Sequence, residues 1–322
     1  MTASIHLDSC LAPLEPYLAQ GDVTDIFINR PGEIWLERQG GAVERCAAPA
    51  LTAPLLMRLA RQVAALSAQG INREHPILSG ALPGGERVQV VIPPATRGNV
   101  AIAIRKHVSA GMALEDYEEG GAFAPTWIGE TLDSQQQKAN LQLSEVPRDL
   151  LREAVRGRRN ILVSGGTSSG KTTFVNALLR EVPAQERLIL IEDTPELSLA
   201  HENAVGLLAA RGALGEASAT AEDLLVASLR MRPDRIILGE IRGREAATFL
   251  RAVNTGHPGS LTTIHADSAE RAIDQLALLV LQTGIRMSWE DVVTYVRRSL
   301  DLIVQLERRD GLRIVAQILC VQ

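Results

Sequence analysis

Residues 165–172 read GGTSSGKT and directly follow the apolar run Ile161-Leu162-Val163. They match the phosphate-loop pattern G-x-x-x-x-G-K-[ST] at every position. Glycines allow the backbone to wrap closely around a phosphate group, so that several N–H groups point inward, and the positive end of the following helix adds to the attraction. A strand, this loop and a helix in direct succession therefore predict an α/β nucleotide-binding domain of the P-loop class.

The motif also assigns tasks to its residues. The Lys171 side chain is expected to reach the β and γ phosphates of a nucleotide, and the Thr172 hydroxyl is expected to bind Mg²⁺. The predicted nucleotide-binding residues of the loop are Gly165, Gly166, Thr167, Ser168, Ser169, Gly170, Lys171, Thr172 and Thr173.

Acidic side chains follow two further apolar runs downstream of the loop. The run 188–191 is followed by Glu192 and Asp193, and the run 235–239 is followed by Glu240. If both runs are strands of one parallel sheet, their carboxyl ends lie on the edge where α/β proteins bind ligands. A phosphate loop needs carboxylates at that edge to hold Mg²⁺ and to orient water.

Two histidines lie around a Thr-rich run. His265 ends the predicted strand 260–265, which brings it to the same edge, and it is a candidate for contact with phosphate or a linked water. His257 lies in a Gly/Pro turn, where an ordinary core or surface role is an alternative. Neither histidine has His or Cys partners at the spacing typical of a zinc site.

The patterning divides the chain into three parts. Residues 1–110 contain short helical and strand-like runs and predict a small α+β domain. Residues 111–146 show little apolar periodicity and are interpreted as a linker of unusual length. From Pro147 onward, β-rich runs alternate with amphipathic helices, which predicts a parallel α/β domain in residues 147–322.

Composition narrows the class of protein. The three cysteines among 322 residues, Cys10, Cys46 and Cys320, are scattered, which argues against a disulfide framework and favours a reducing compartment. The N-terminus has no signal-peptide pattern, and no apolar run approaches the roughly 18 residues of a membrane span, so a cytoplasmic protein is expected. A net charge of −5 and an aromatic content of 3% give no general attraction to nucleic acid.

Four motifs in this order resemble those of the secretion or traffic ATPase superfamily: GGTSSGKT (165–172), LILIEDTPEL (188–197), LRMRPDRIILGEIRGREA (229–246) and NTGHPGSLTTIHADSA (254–269). They correspond to its Walker A loop, Asp box, atypical Walker B and His box. The resemblance implies a RecA-like nucleotide-binding domain preceded by a smaller α+β N-terminal domain. The last two motifs are most similar to those of the hexameric ATPase of type IV secretion systems. Gly239 stands where other P-loop ATPases have Asp before the Glu, and the secretion branch shares this feature.

The resemblance implies a role for each candidate side chain at the sheet edge. Glu192 would activate the attacking water, Glu240 would support Mg²⁺, and His265 would sense the γ-phosphate. Together with Lys171, these are the catalytic residues that the resemblance implies.

The same resemblance implies roles for four arginines. Because the family binds nucleotide between its two domains, Arg87 and Arg105 would contact ATP from the first domain. Arg230 or Arg232 would act across a subunit boundary. An arginine close to the transferred phosphate is worth about 10³ or more in rate.

The implied function is Mg²⁺-dependent ATP hydrolysis by a homo-hexameric ring motor that powers type IV secretion, either export of protein or protein–DNA substrates or pilus assembly. Its partners would be further copies of itself and inner-membrane components of the apparatus, with peripheral association at the cytoplasmic face of the inner membrane. No stable binding of nucleic acid is expected.

Three other functions compete with this hypothesis. A type IV pilus or type II secretion motor often carries a cysteine-tetrad metal module, which three scattered cysteines cannot form. A nucleic-acid translocase would need a basic channel or aromatic stacking residues. A structural scaffold that has lost catalysis is opposed by the joint presence of Lys171, Thr172, Glu192 and Glu240.

Overall fold

A computed structural model describes residues 2–39, 41–106, 111–130, 144–209, 219–309 and 311–321. The chain forms two compact units. Of the described residues, 2–39, 41–106 and Ala219 lie in the first unit, and 111–130, 144–209, 220–309 and 311–321 lie in the second. None of the helices in these ranges combines the length and the apolar character of a membrane span.

The first unit is a six-stranded antiparallel sheet with helices, as expected for an α+β domain. The strand order is β3-β2-β1-β6-β5-β4. The main helix, α3, begins after Thr52, whose hydroxyl accepts a hydrogen bond from the Leu55 N–H at 3.4 Å. Its apolar face is buried in the core of this unit. The elements are α1 (Thr2–Leu11), α2 (Glu15–Leu18), β1 (Val23–Ile28), β2 (Gly32–Arg38), β3 (Val43–Ala48), α3 (Ala53–Leu66), β4 (Ile77–Ala81), β5 (Arg87–Val91) and β6 (Ala101–Arg105).

The second unit is built on an eight-stranded, mostly parallel sheet. The strand order is β10-β9-β11-β12-β8-β13-β14-β7, and only the β13–β14 pair is antiparallel. Its helices are α4 (Leu114–Glu119), α5 (Pro147–Arg156), α6 (Lys171–Leu179), α7 (Ala221–Ser228), α8 (Glu245–Asn254), α9 (Ala269–Leu281) and α10 (Trp289–Ser299). Its strands are β7 (Trp127–Glu130), β8 (Ile161–Gly165), β9 (Leu188–Glu192), β10 (Ala204–Leu208), β11 (Arg235–Leu238), β12 (Leu261–Ile264), β13 (Leu302–Arg309) and β14 (Leu312–Cys320).

The central strands of this sheet are buried on both faces, which explains their continuous apolar sequences. Every residue of β8, β9, β11 and β12 is buried. One apolar cluster contains the buried side chains of α5 and α6, and a second contains those of α8, α9 and α10. The α/β, P-loop class predicted from the sequence is confirmed.

The expectation that residues 111–146 are a linker is wrong for the part that the structure describes. Helix α4 buries Leu114 and Tyr117, and the Tyr117 ring meets Phe174 of α6 edge-on at 5.2 Å. Strand β7 pairs in parallel with β14, with Trp127 opposite Gln317. Elements of six and four residues are too short to show periodicity, and β7 finds its partner near the other end of the chain. Residues 131–143 lie outside the described ranges.

Candidate active site

The phosphate loop is shaped by glycines at both ends. At Gly165, a Cβ atom would lie 2.6 Å from the carbonyl oxygen of Leu306 and 2.5 Å from Ser169 Oγ, so only glycine fits without a shift. Gly170 has a φ of +93° and directly precedes α6, a left-handed conformation that favours glycine. These positions bring the loop backbone and the first turn of α6 around one point, as a phosphate cradle requires.

Lys171 lies folded into this loop. Its Nζ atom donates to the carbonyl oxygens of Gly165 at 2.7 Å and Gly166 at 3.1 Å, and lies 3.3 Å from His265 Nδ1. The side chain is largely buried, with 9% exposure of the residue. The ammonium group therefore already stands at the loop, where a phosphate can replace the two carbonyl oxygens. Thr172 and Thr173, next in the first turn of α6, are half-buried.

The sheet places the predicted acids and histidine side by side. Strands β9, β11, β12 and β8 are neighbours in this order and run parallel. Glu192 ends β9, Glu240 follows β11, His265 follows β12, and the phosphate loop follows β8. The structure thus brings together the groups that sequence patterning expected at one edge.

Glu240 and His265 form a close pair in this row. His265 Nε2 lies 2.7 Å from Glu240 Oε1, but outside hydrogen-bonding alignment, so this buried oxygen has no aligned donor. A buried carboxylate oxygen without a donor suits a cation or a cation-bound water. The residues therefore fit Mg²⁺, with Glu240 and the Thr172 hydroxyl as the groups that would hold it.

The partners of His265 define its protonation state. The Lys171 ammonium has only donors, so Nδ1 of the ring must accept, and a neutral ring then carries its proton on Nε2. Burial lowers the pKa of His265, the Glu240 carboxylate opposes this shift, and the charges of Lys171 and Arg242 favour it. Burial therefore favours the neutral form of the ring.

Glu192 is a buried carboxyl group with a raised pKa. Its residue exposure is 8%, and Oε1 accepts hydrogen bonds from the N–H groups of Glu196 and Leu197, both at 2.8 Å. Burial raises the pKa of Glu192 to about 7, against the two hydrogen bonds, and the carboxylates of Glu196 and Asp193 add to the rise. A group with this pKa can take up a proton near neutral pH, as a general base must.

The predicted arginines are distributed over both units. Arg87 and Arg105 face each other across β5 and β6 of the first unit, and Arg105 Nε donates to Asp25 Oδ1 at 2.9 Å. Arg230 and Arg232 are exposed between α7 and β11 of the second unit. Their contacts with nucleotide stay predictions.

Sequence reasoning missed Arg242 as a site residue. This side chain contacts Glu240 Oε2 and lies 3.6 Å from Asp193 Oδ2. Its signal in the sequence is a basic residue two positions after the strand-end acid. Without the tertiary structure, nothing separates it from the nearby Arg244.

A cavity of about 390 Å³ opens beside the loop. It is lined by Gly166, Thr167, His265, Ala266, Asp267, Arg271 and Gln275. Its walls are the phosphate loop on one side and the start of α9 on the other, so solvent reaches the His265 side of the site.

The phosphate loop, its lysine and the row of strand-end acids define a P-loop ATPase with a RecA-like fold. The model of the family described as "Type II/IV secretion system protein" matches residues 129–312. This match spans more than half of the chain, and the chain belongs to this family.

Sequence similarity to two further proteins supports this assignment. The chain is 38% identical over 317 residues to the type IV secretion system protein VirB11 of Bartonella henselae, covering 94% of this chain and 89% of that protein. It is 41% identical over 305 residues to VirB11 of Brucella suis, covering 92% and 83%.

Solved structures show the same likeness. The crystal structure of the Brucella suis VirB11 ATPase in complex with sulphate is 36% identical, with a TM-score of 0.51, over 98% of this chain and 95% of that one. The pilus retraction motor PilT with bound ADP shares the fold, with a TM-score of 0.62 at 22% identity, over 98% and 82%.

Proposed function

We propose that this protein is the ATP-hydrolysing motor of a type IV secretion apparatus, working with Mg²⁺ as a homo-hexameric ring. The observation that carries the ATPase chemistry is the row Lys171, His265 and Glu240 beside the phosphate loop, with Glu192 at the end of β9, the strand next to β11. The similarity to VirB11 over at least 92% of this chain supports the secretion role.

Nucleotide binding follows from the loop geometry. The backbone of the phosphate loop and the first turn of α6 would hold the phosphates. Lys171 would exchange the carbonyl oxygens of Gly165 and Gly166 for the β and γ phosphate oxygens. Mg²⁺, held by Thr172 and through water by Glu240, would neutralise phosphate charge.

Hydrolysis needs a base, and Glu192 supplies it. Its ionised carboxylate would accept a proton from water as the water oxygen bonds to the γ-phosphorus and the bond to the β–γ bridging oxygen breaks. His265, next to Lys171, would contact the γ-phosphate region and sense its release. The loss of γ-phosphate contacts after hydrolysis would drive movement between the domains.

The wider assembly belongs to the same proposal. Arg87 and Arg105 would reach ATP from the first domain, and Arg230 or Arg232 would act across a subunit boundary. Inner-membrane components of the secretion apparatus would be the partners, at the cytoplasmic face of the membrane. The domains proposed for this motion are the first and second units, so α4 and β7 belong to the second.

The experiment compares Mg²⁺-dependent ATP hydrolysis across size-exclusion fractions of the wild type, Lys171→Ala and Glu192→Gln. We expect activity confined to a large assembly and lost in both variants. Arg251→Ala, an exposed change on α8, serves as a control with wild-type turnover. Turnover by Lys171→Ala would contradict the proposal, and salt-sensitive stimulation by single-stranded DNA would favour a nucleic-acid translocase instead.

A further inference from the structure

Arg242 lies between two carboxylates at the site edge. Its Nη2 atom contacts Glu240 Oε2, and its Nη1 atom lies 3.6 Å from Asp193 Oδ2. The acids follow neighbouring strands, since β9 pairs with β11. One guanidinium group therefore joins two strand ends, and it does so beside a Glu240 side chain that is only 12% exposed.

The backbone at Arg242 is held on two sides. The Ile241 N–H donates to the carbonyl oxygen of Thr263 at 2.9 Å, and the Ile241 side chain is buried. The N–H groups of Arg242 and Gly243 donate to Glu245 Oε1 at 2.6 and 2.8 Å. These bonds fix the turn between β11 and α8, so the guanidinium group extends from a defined backbone position.

The resulting contacts follow the strand order across the sheet edge. Arg242 bridges Asp193 and Glu240, and His265 stands between Glu240 and Lys171. Asp193 therefore has a guanidinium group next to it, and Glu240 has both a guanidinium group and a ring nitrogen. If the guanidinium charge were lost, two carboxylates would face an incoming triphosphate of the same sign, and like charges at such distances repel.

We propose that Arg242 is a positioning residue for ATP turnover, which orients the Glu240 carboxylate and offsets the charge of Glu240 and Asp193 where the γ-phosphate arrives. The inference rests on the role proposed for Glu240. Arginine suits this place because its planar fork presents separate N–H groups to two acceptors, whereas a lysine ammonium acts as a point charge.

The test replaces Arg242 in the full chain and measures both turnover and binding. Arg242→Gln should lower kcat about tenfold or more, with a smaller loss for Arg242→Lys. The Kd for ATP, measured with EDTA present so that no turnover occurs, should rise about tenfold in Arg242→Gln. The Kd for ADP should change less than about twofold, because only ATP brings a γ-phosphate against the uncompensated acids.

Arg244→Gln is the matched control. Arg244 is exposed on the same turn, so the variant makes the same change of net charge two residues away. We expect its ATP-to-ADP ratio of Kd values to equal that of the wild type. An equal rise of this ratio in Arg242→Gln and Arg244→Gln would show a general charge effect and overturn the inference. A wild-type ratio together with a wild-type kcat in Arg242→Gln would also overturn it.

Further measurements distinguish a folding defect from a loss of function. Circular dichroism and the thermal midpoint report whether Arg242→Gln folds, and if it does not, kcat and the ratio of Kd values in Arg242→Lys decide. Glu240→Gln tests the proposed function on which the inference rests. Wild-type turnover in this variant would contradict the role proposed for Glu240. If Glu240→Gln lost turnover while both Arg242 variants kept wild-type turnover, the inference about Arg242 would be wrong and the proposed function would stand.

Discussion

Glu192 shows how its surroundings change an ordinary carboxyl group. Burial disfavours the charged form and raises the pKa, while the N–H groups of Glu196 and Leu197 stabilise the carboxylate and limit the rise. The outcome is a pKa of about 7. At neutral pH the group is divided between both forms, which suits a base that must accept a proton and release it again.

This pKa predicts the pH dependence of hydrolysis. The base must be ionised, so kcat should be low at acidic pH and should rise as Glu192 loses its proton through pH about 7. Steady-state rates from about pH 5.5 to about pH 8.5 would show the rise and a plateau above it. Glu196→Gln, which removes a neighbouring charge, should move the rise to lower pH. A flat profile through neutrality would exclude Glu192 as the base.

Two adjacent glycines of the phosphate loop provide a matched pair for stability. Gly165→Ala places a Cβ 2.6 Å from a backbone oxygen of Leu306, whereas the corresponding atom at Gly166 has no neighbour within 4 Å. Chemical unfolding without nucleotide should show a loss of about 1–3 kcal/mol for Gly165→Ala. The change for Gly166→Ala should stay within about 1 kcal/mol. Equal losses would show that the close approach at Gly165 does not matter for stability.

Among the elements, β11 connects the site to a buried ion pair at its other end. Arg235, with 0% side-chain exposure, opens this strand, and its Nε and Nη2 atoms donate to the two oxygens of Glu186 at 2.6 and 3.0 Å. Its Nη1 atom donates to the carbonyl oxygen of Val155 in α5 at 2.6 Å. The pair therefore joins a central strand, the start of its neighbour β9 and a helix.

Removal of one partner should be costly, because it leaves a buried charge without compensation. We expect Arg235→Ala to lower the free energy of unfolding by about 3–5 kcal/mol, measured by denaturant titration. Arg251→Ala, on the exposed face of α8 in its last turn, should cost no more than about 1 kcal/mol. A loss below about 1 kcal/mol for Arg235→Ala would mean that the surroundings compensate the remaining Glu186 charge.

At the scale of the whole molecule, the proposed function predicts that the chain assembles into a ring. A ring motor needs copies of the chain in contact, and candidates for action across the boundary, Arg230 and Arg232, are exposed. Light scattering behind a size-exclusion column should give a mass near 208 kDa for Glu192→Gln with ATP, which corresponds to six chains of 34.7 kDa each. This variant is used because it is expected to bind ATP without turnover. A mass of one chain at every protein concentration would contradict the hexamer, and the same column run without nucleotide is the control.

The amino-acid sequence determined those parts of the protein that depend on local order. The phosphate loop, the apolar central strands and the acids after them are continuous segments, so motif and patterning predicted β8, β9, β11, β12 and their shared edge. The strand-end positions of Glu192, Glu240 and His265 followed from the same rule, since parallel strands end together.

Only the tertiary structure decided features that depend on residues far apart in the chain. Strand β7 is stabilised by parallel pairing with β14. Helix α4 is stabilised by the packing of Tyr117 against Phe174. The raised pKa of Glu192 comes from burial that its own segment does not encode. Arg242 has Glu240 and Asp193 within reach because side-chain direction and distance are set when the two strands pair, and the sequence alone does not separate it from Arg244.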